Sequence, residues 1–380
     1  MLETRRYKVV PLTPVHVGSG TTIGPEEYYF DGRELVRFGT ANTFGKMTDG
    51  ERRHYEKVMD GADFLAGIDL VRNVAKRHAS ETTIYRVAIG DECKARLDVK
   101  EVQRDNAVQS MAHVGESGNA LIPGTAIKGA IRTALLSERL AKQPAMMEQF
   151  GKQIRANSGS RLNVDSVAME RDVLHIGQNA MEADPFRFLT VRDLQVRASG
   201  FRVDRFQIVG RDGLPKTGNN NNSGIAIYGE RLVAMADGMA NASAGTLEIA
   251  LEQQKQKNRD VKALLGNAVS IGWAELEEST RSFFLRRFEA DRERFSPLFG
   301  WLKPTWLDVI RNNGLFLRVG RYSHFEAASL DGIRRGWQSM PYRGKAIESG
   351  SSRTVCTLQD GKDRAPMGWI WLVRTGGASA

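Results

Sequence analysis

The chain is short of cysteine, of long apolar runs and of acidic charge, and each shortage removes a class of function. Only Cys93 and Cys356 occur in 380 residues. Two cysteines cannot build a disulfide scaffold or a cysteine-rich zinc or iron–sulfur site. No apolar run approaches the ~18 residues of a membrane helix, and the opening MLETRRYKVV carries no signal-peptide core. A cytoplasmic, reducing setting without membrane contact is expected. His54, His78, His113, His175 and His324 fall at no H-x-x-H or H-E-x-x-H spacing, so no metal and no cofactor is expected. Gly-x-Ser-x-Gly is absent as well, which leaves a hydrolase elbow without support.

What is present is ordinary globular material with surplus cations. Apolar residues make up 41% and charged residues 26% of the chain, enough to bury sizeable cores. The length suits two domains at ~150 residues each. Lys and Arg number 54 against 45 Asp and Glu, a formal charge of +9. That excess favours a polyanionic partner.

Periodicity gives a coarse order of elements. YKVVPLTPVHV (7–17) reads as a strand, which Pro11 and Pro14 assign to an edge or a bulge because proline lacks the ladder donor. EYYFDGRELVRF (27–38) reads as a hairpin about Asp31-Gly32, residues 51–80 as an inserted helical stretch, and TIYRVAI (83–89) as a strand. A helix capped by Thr125 is predicted to run to about Lys142, with Ile127, Ile131, Ala134 and Leu135 on one stripe. Lys128, Arg132, Arg139 and Lys142 share the adjacent stripe. FLTVRDLQV (188–196) and FRVDRFQIVG (201–210) read as strands, and TLEIALEQ (246–253) alternates as a half-buried strand should. A helical stretch over roughly 256–295, broken near Gly266 and Gly272, precedes late strands LFLRVG and GWIWLV. The class is α+β, with sheets covered by helices on one face and a soft boundary near residue 200.

Several constellations are suited to chemistry. PGTAIKG has the glycines, lysine and helix start of a phosphate loop, but Gly129 follows Lys128 where Ser or Thr would hold Mg²⁺. A nucleotide hydrolase is therefore not supported. The same helix start suits a phosphodiester, or forms a tight turn with Lys128 solvated. His16, beside Gly18-Ser19-Gly20, can hydrogen-bond a phosphate, stack on a base or act as general base on a ribose hydroxyl, or be satisfied by its own strand neighbours. Arg281, Arg286, Arg287, Arg292 and Arg294 interleave with Phe283, Phe284, Phe288 and Phe295. That stripe reads as core phenylalanine beside a solvated basic face in preference to a nucleic-acid grip. Arg318 and Arg321 flank Gly320 in LRVGRYSHF, a seat for RNA backbone and bases.

Taken together, these segments resemble a known family. PLTPVHVGSG (11–20) with LIPGTAIKGAIRTALL (121–136) resembles the RAMP superfamily of CRISPR-associated RNA-binding proteins. In that family a histidine and Gly-Ser-Gly at a strand end precede an Ile-Pro-Gly-Ser-x-Leu/Ile-Lys-Gly-x-x-Arg helix start. DPFRFLTVRDLQV (184–196) resembles a third landmark, while LRVGRYSHF and PMGWIWL (366–372) resemble the glycine-rich C-terminal portion. EEYYFDGRELVRF, the length and the Pro-Met-Gly-Trp tail look most like the subunit that caps the backbone of type III-A Csm effector complexes.

The resemblance implies two ferredoxin-like or RRM-like βαββαβ units with helical insertions, divided as 1–200 and 201–380. It implies a non-enzymatic subunit that binds crRNA at the 3′ side of the guide and supports crRNA maturation in antiviral defence. Implied partners are crRNA, target RNA, other Csm subunits (the backbone and small subunits above all) and, in some systems, a host trimming nuclease. Carried over by position, His16, Gly18, Ser19, Lys128 and Arg132 are RNA-contact candidates, with Arg318 and Arg321 from the C-terminal portion. Two departures stand out. Gly320 is the one glycine left in 318–330. The related subunit that cuts target RNA uses an aspartate after the Gly-Ser-Gly turn, where this chain has Glu26 and Glu27 and no aspartate before Asp31. A rival reading is a metal-independent endoribonuclease with His16 as base or acid and Lys128 stabilising the phosphorane. A third is a protein–protein adaptor with incidental charge.

Overall fold

The computed structural model describes residues 2–98, 107–156, 166–176, 180–216, 227–239, 242–256, 258–259, 261–262, 270–333, 350–359 and 361–375. Before residue 200 come β1 (Glu3–Pro11), β2 (Gly18–Ile23), β3 (Tyr28–Asp31), β4 (Glu34–Phe38), β5 (Thr83–Ile89), β6 (Val108–Met111), β7 (Ala120–Ile122), β8 (Leu189–Val191) and β9 (Leu194–Val196). After it come β10 (Phe201–Val209), β11 (Ile227–Leu232), β12 (Gly245–Leu251), β13 (Leu315–Arg318), β14 (Arg353–Thr357), β15 (Arg364–Pro366) and β16 (Trp369–Arg374). The helices that matter here are α1 (Asp49–Asp60), α2 (Phe64–Arg77), α3 (Gly124–Ala141), α4 (Ser166–Leu174), α5 (Trp273–Arg294) and α6 (Pro304–Asn312).

Alternation in β12 turns Leu247, Ile249 and Leu251 inward and leaves Glu248 and Ala250 half-buried. The strand joins a five-stranded sheet in the order β13-β16-β1-β12-β8, antiparallel throughout. Along the chain, β1-α3-β8-β12-α5-β16 is a split βαβ, or ferredoxin-like, unit whose strands lie fourth, first, third, second, with β13 as an added edge. Helices α3 and α5 pack on each other and on β13. They bury Ile127, Ile131, Ala134 and Leu135 from one, and Leu276, Phe283, Phe284 and Phe288 from the other. At the centre, Trp369 stacks on Phe316 at 5.1 Å and meets the edges of Phe284 and Phe288. Each such aromatic contributes about 1.5–3 kcal/mol through burial.

The second sheet runs β2-β6-β11-β10-β5-β4-β3, with β14 on the far half of β10 and β15 beyond it. Its β3–β4 hairpin turns at Asp31–Glu34, as predicted from Asp31-Gly32. Helix α2 covers that hairpin, Val71, Val74 and Ala75 packing on Tyr29, Val36 and Phe38, and α1 packs on α2. Helix α1 starts where it does because Thr48 and Glu51 form a reciprocal capping box. No helix among the described residues is long and apolar enough to cross a membrane.

Some expectations need correction. β1 ends at Pro11 and is flanked by both β12 and β16, so it is central rather than an edge. Its proline is the last residue of the strand, and the Leu12 amide takes up bonding to β16 directly after it, donating to the Trp369 carbonyl at 2.9 Å. FLTVRDLQV is two strands, because Arg192-Asp193 turns between β8 and β9. Between α3 and β8 the chain adds α4 and the helix Pro144–Ala156. The two large sheets each take strands from both segments, 1–200 and 201–380, so strand pairing crosses residue 200 repeatedly, while β7 and β9 form a small two-stranded sheet within the first segment. Gly266 and most of the loop 211–224 lie outside the described residues.

Candidate nucleic-acid interface

Helix α3 begins after Pro123, whose extended backbone serves as the N-cap. The Gly124 amide donates to Asp193 Oδ1 at 2.7 Å, so the cap comes from the β8–β9 turn and not from Thr125. A side chain at Gly124 would overlap the Val191 carbonyl, which requires glycine there. One turn on, Lys128 Nζ donates to the Leu189 carbonyl at 2.7 Å, and burial lowers its pKa. Arg132 pairs with Asp184 at 2.8 Å and Glu170 at 2.9 Å, its guanidinium 4.8 Å from the Phe186 ring. The segments 121–136 and 184–196 therefore lock to each other. Lys128 and Arg132, expected as RNA contacts, are both engaged in this lock, Lys128 through one bond and Arg132 through two ion pairs.

The adjacent face of α3 carries only small side chains, and it floors a groove of about 670 Å³. Thr125, Ala126, Gly129 and Thr133 form that floor, Gly18 and Gly20 one wall, and Arg318 to Arg321 the other. Three stretches singled out in the sequence converge here. Gly320 adopts φ +95°, and a side chain on it would overlap the His16 carbonyl. That carbonyl accepts the Arg321 amide at 3.0 Å, so the two walls are hydrogen-bonded together.

His16 lies beneath the groove and not in it, 1% exposed. Nδ1 is 2.7 Å from the Glu230 carbonyl, and the ring packs 5.6 Å from both Phe206 and Tyr322. Burial lowers its pKa. Enclosure removes the solvent path that stacking on a base or proton transfer with a ribose would need. Nor does His16 project from a strand face, since β1 has ended before it. Ser19, exposed, bonds Thr21 Oγ1 at 2.7 Å, and its hydroxyl donates to the Ser110 carbonyl at 3.3 Å.

Of the two arginines, Arg321 is exposed and donates to Gln109 Oε1 at 2.8 Å. Arg318 is buried, pairs with Asp291 at 2.8 Å, donates to the Met367 carbonyl at 3.0 Å and sits 4.9 Å from the Trp369 ring. Its Nη2 has no hydrogen-bond partner among the described residues. Asp291 also holds the buried Arg353, which pairs with Glu326 at 3.0 Å. The arrangement offers glycine backbone, a threonine hydroxyl and the exposed Arg321 guanidinium along a channel without bulky side chains, with Arg318 buried behind its wall. A phosphodiester strand can approach such a surface closely and be held without base readout.

Sequence reasoning missed Gln109, Thr133 and the buried carboxylates Asp291 and Glu230. The i, i+4 recurrence of Thr125, Gly129 and Thr133 is the signal that marks the groove floor. Nothing in the sequence marks Asp291, which sits among the charges of α5. On that helix Phe283, Phe284 and Phe288 are core, as expected, but its basic face is paired rather than merely solvated. Arg286 meets Glu138 and Asp331, and Arg287 meets Asp331 at 2.9 Å. Glu27 accepts the Gly24 amide at 2.9 Å, which closes the turn before β3.

Comparison with known proteins sets this groove in a family. The model of the RAMP superfamily matches residues 8–284, taking in the end of β1, the groove floor on α3 and the wall at Gly18 and Gly20. The chain belongs to the RAMP superfamily. This RAMP protein has an α+β fold of ferredoxin-like organisation with helical insertions. It is similar to a chain of a Csm–crRNA–target RNA ternary complex of a type III-A CRISPR–Cas system, solved by cryo-EM. The TM-score is 0.60 at 17% identity, covering 98% of this chain and 100% of that one. It is also similar to the crystal structure of T. onnurineus Csm5, with TM-score 0.52 and 18% identity over 97% and 100% of the two chains. No curated protein sequence matches it.

Proposed function

We propose that this RAMP protein is the non-catalytic crRNA-binding subunit that caps the backbone of a type III-A Csm complex at the 3′ side of the guide. The observation that carries the reading is the groove itself. Its small-residue floor on α3, its glycine walls at 18–20 and 320, and the exposed Arg321 form a seat for RNA backbone, with the buried Arg318 supporting the wall from behind. A guide varies in sequence, so a subunit that serves every guide must hold phosphates and 2′-hydroxyls. Both similar solved structures, a chain of a Csm ternary complex and Csm5, support the placement. In this role His16, Gly18 and Ser19 shape the wall, Lys128 and Arg132 hold α3 in position, and Arg321 meets phosphate. Partners are crRNA, target RNA, neighbouring Csm subunits and a host trimming nuclease that works on the protruding guide end.

The test is one titration series. End-labelled crRNA and unrelated RNA are mixed with the protein across a salt range, with and without Mg²⁺, and scored for binding and cleavage. Salt-sensitive binding, indifferent to internal sequence and without cleavage, is expected. Site-specific cleavage lost in His16→Ala would replace the reading with a processing ribonuclease.

A further inference from the structure

A second cavity, of about 300 Å³, shares no lining residue with the groove. Trp301 and Trp306 line it beside Lys303, over a floor that includes Met235, Ala236 and Leu358. The Trp301 indole is fixed: Nε1 donates to the Leu298 carbonyl at 2.9 Å, and the ring stacks on Phe299. Trp306, half-buried at the start of α6, lies 6.3 Å from Trp301 with the two rings tilted by 41°. Lys303 Nζ stands 5.6 Å from the Trp306 centroid and makes no ion pair among the described residues. The exposed Asp363 lines the cavity at its rim, and so does Asp237, whose carboxylate is committed to the buried Arg231 and to the amides of Ala234 and Gln359. Asp237 therefore presents a neutralised wall.

These features select a ligand by chemistry. Two half-buried indoles favour a flat aromatic group, because stacking recovers dispersion and quadrupole contacts that an aliphatic chain cannot match. Lys303 beside the ring disfavours a cationic guest and suits an anion next to the aromatic group. The volume lies at the low end of small-molecule sites and suits a single residue rather than a helix. From this we infer that the Trp301–Trp306 cavity takes one unpaired nucleotide of an RNA strand, its base on Trp306 and its phosphate beside Lys303. The inference rests on the RNA-binding reading and adds a second anchor to it, one that grips a base by stacking where the groove holds backbone.

The experiment titrates the full chain and its variants with a short end-labelled single-stranded RNA over a salt series. Trp306→Ala should weaken binding about tenfold with an unchanged salt slope, because base stacking is worth about 1–3 kcal/mol and releases no counterion. Trp306→Phe keeps a π-face and should stay within about threefold of the parent, which separates lost stacking from lost folding. Lys303→Ala should reduce the salt slope by about one. Parental affinity in Trp306→Ala would overturn the inference. So would loss of capture by neighbouring Csm subunits with RNA affinity intact, which would make the cavity a protein-docking site. If the parent chain shows no salt-sensitive RNA binding, the functional reading fails first, and that appears before any variant is compared.

Discussion

The carbonyl oxygen of His16 accepts the backbone amide of Arg321 at 3.0 Å, and this bond ties the two walls of the groove together. Gly320 permits it by adopting φ +95° over that carbonyl. His16 thus acts through its main chain and its buried ring, positioning a surface it does not itself reach.

Gly320→Ala should open that joint. The backbone region is unfavourable for an L side chain and the carbonyl blocks the space, so stability should fall by more than about 1 kcal/mol. A lower denaturant midpoint together with weaker RNA binding is the expected result.

Arg321→Ala should behave in the opposite way. An exposed side chain bonded to Gln109 contributes little to folding, so stability should stay within about 0.5 kcal/mol. RNA affinity should drop and the salt slope should decrease by about one. Titration at several salt concentrations, alongside a melting curve, checks both.

Arg132→Ala tests whether this cation serves the fold or the ligand. Its pairs with Asp184 and Glu170 are only part-buried, so a loss of about 1 kcal/mol in stability is expected. The salt slope for RNA should not move. A double-mutant cycle with Asp184→Ala measured by denaturation should recover the coupling.

Glu230 is fully buried and accepts from the Tyr85 hydroxyl, the Met111 amide at 2.8 Å and Ser110 Oγ at 3.4 Å, with His113 Nε2 2.8 Å away. Truncation in Glu230→Ala leaves several buried groups without an acceptor and should cost about 3 kcal/mol. Chemical denaturation reads the loss directly.

Stability should also fall between pH 6.5 and about pH 5, before most carboxylates titrate. Burial, then Arg318 and Arg353, hold the His324 pKa down to about 2, against 6.5 for the free imidazole. Its Nε2 accepts the Thr354 amide at 3.0 Å, a bond the protonated ring cannot make. In this window the unfolded chain binds the proton and the folded chain does not, so stability is full above pH 6.5 and declines as pH falls. The slope per histidine is no more than about 1.4 kcal/mol per pH unit. His324→Asn tolerates the residue's positive φ of 61° and should flatten that part of the profile, followed by melts across the pH range.

Much of the fold was legible locally. The alternation in 246–253, the Asp31-Gly32 turn and the apolar stripe of α3 each state their own secondary structure, because backbone geometry fixes which side chains share a face. Two stretches of the groove, 16–20 and 124–133, could be read as sites because glycine and small residues clear space for a ligand backbone. The sequence by itself therefore determined the element types, the basic character and the segments that meet at the interface.

The tertiary structure alone decided which cations face outward. Lys128 and Arg132 carry the same charge as Arg321 and stand in a more complete motif, yet Leu189, Asp184 and Glu170 engage them. Charge pairing between stretches far apart in sequence depends on how α3 is rotated against β8. Hydrophobic burial of Ile127, Ile131 and Leu135 sets that rotation. The same packing takes His16 out of solvent and leaves Arg321 in it. A one-dimensional pattern can place residues on a face; only the packed core determines what that face meets.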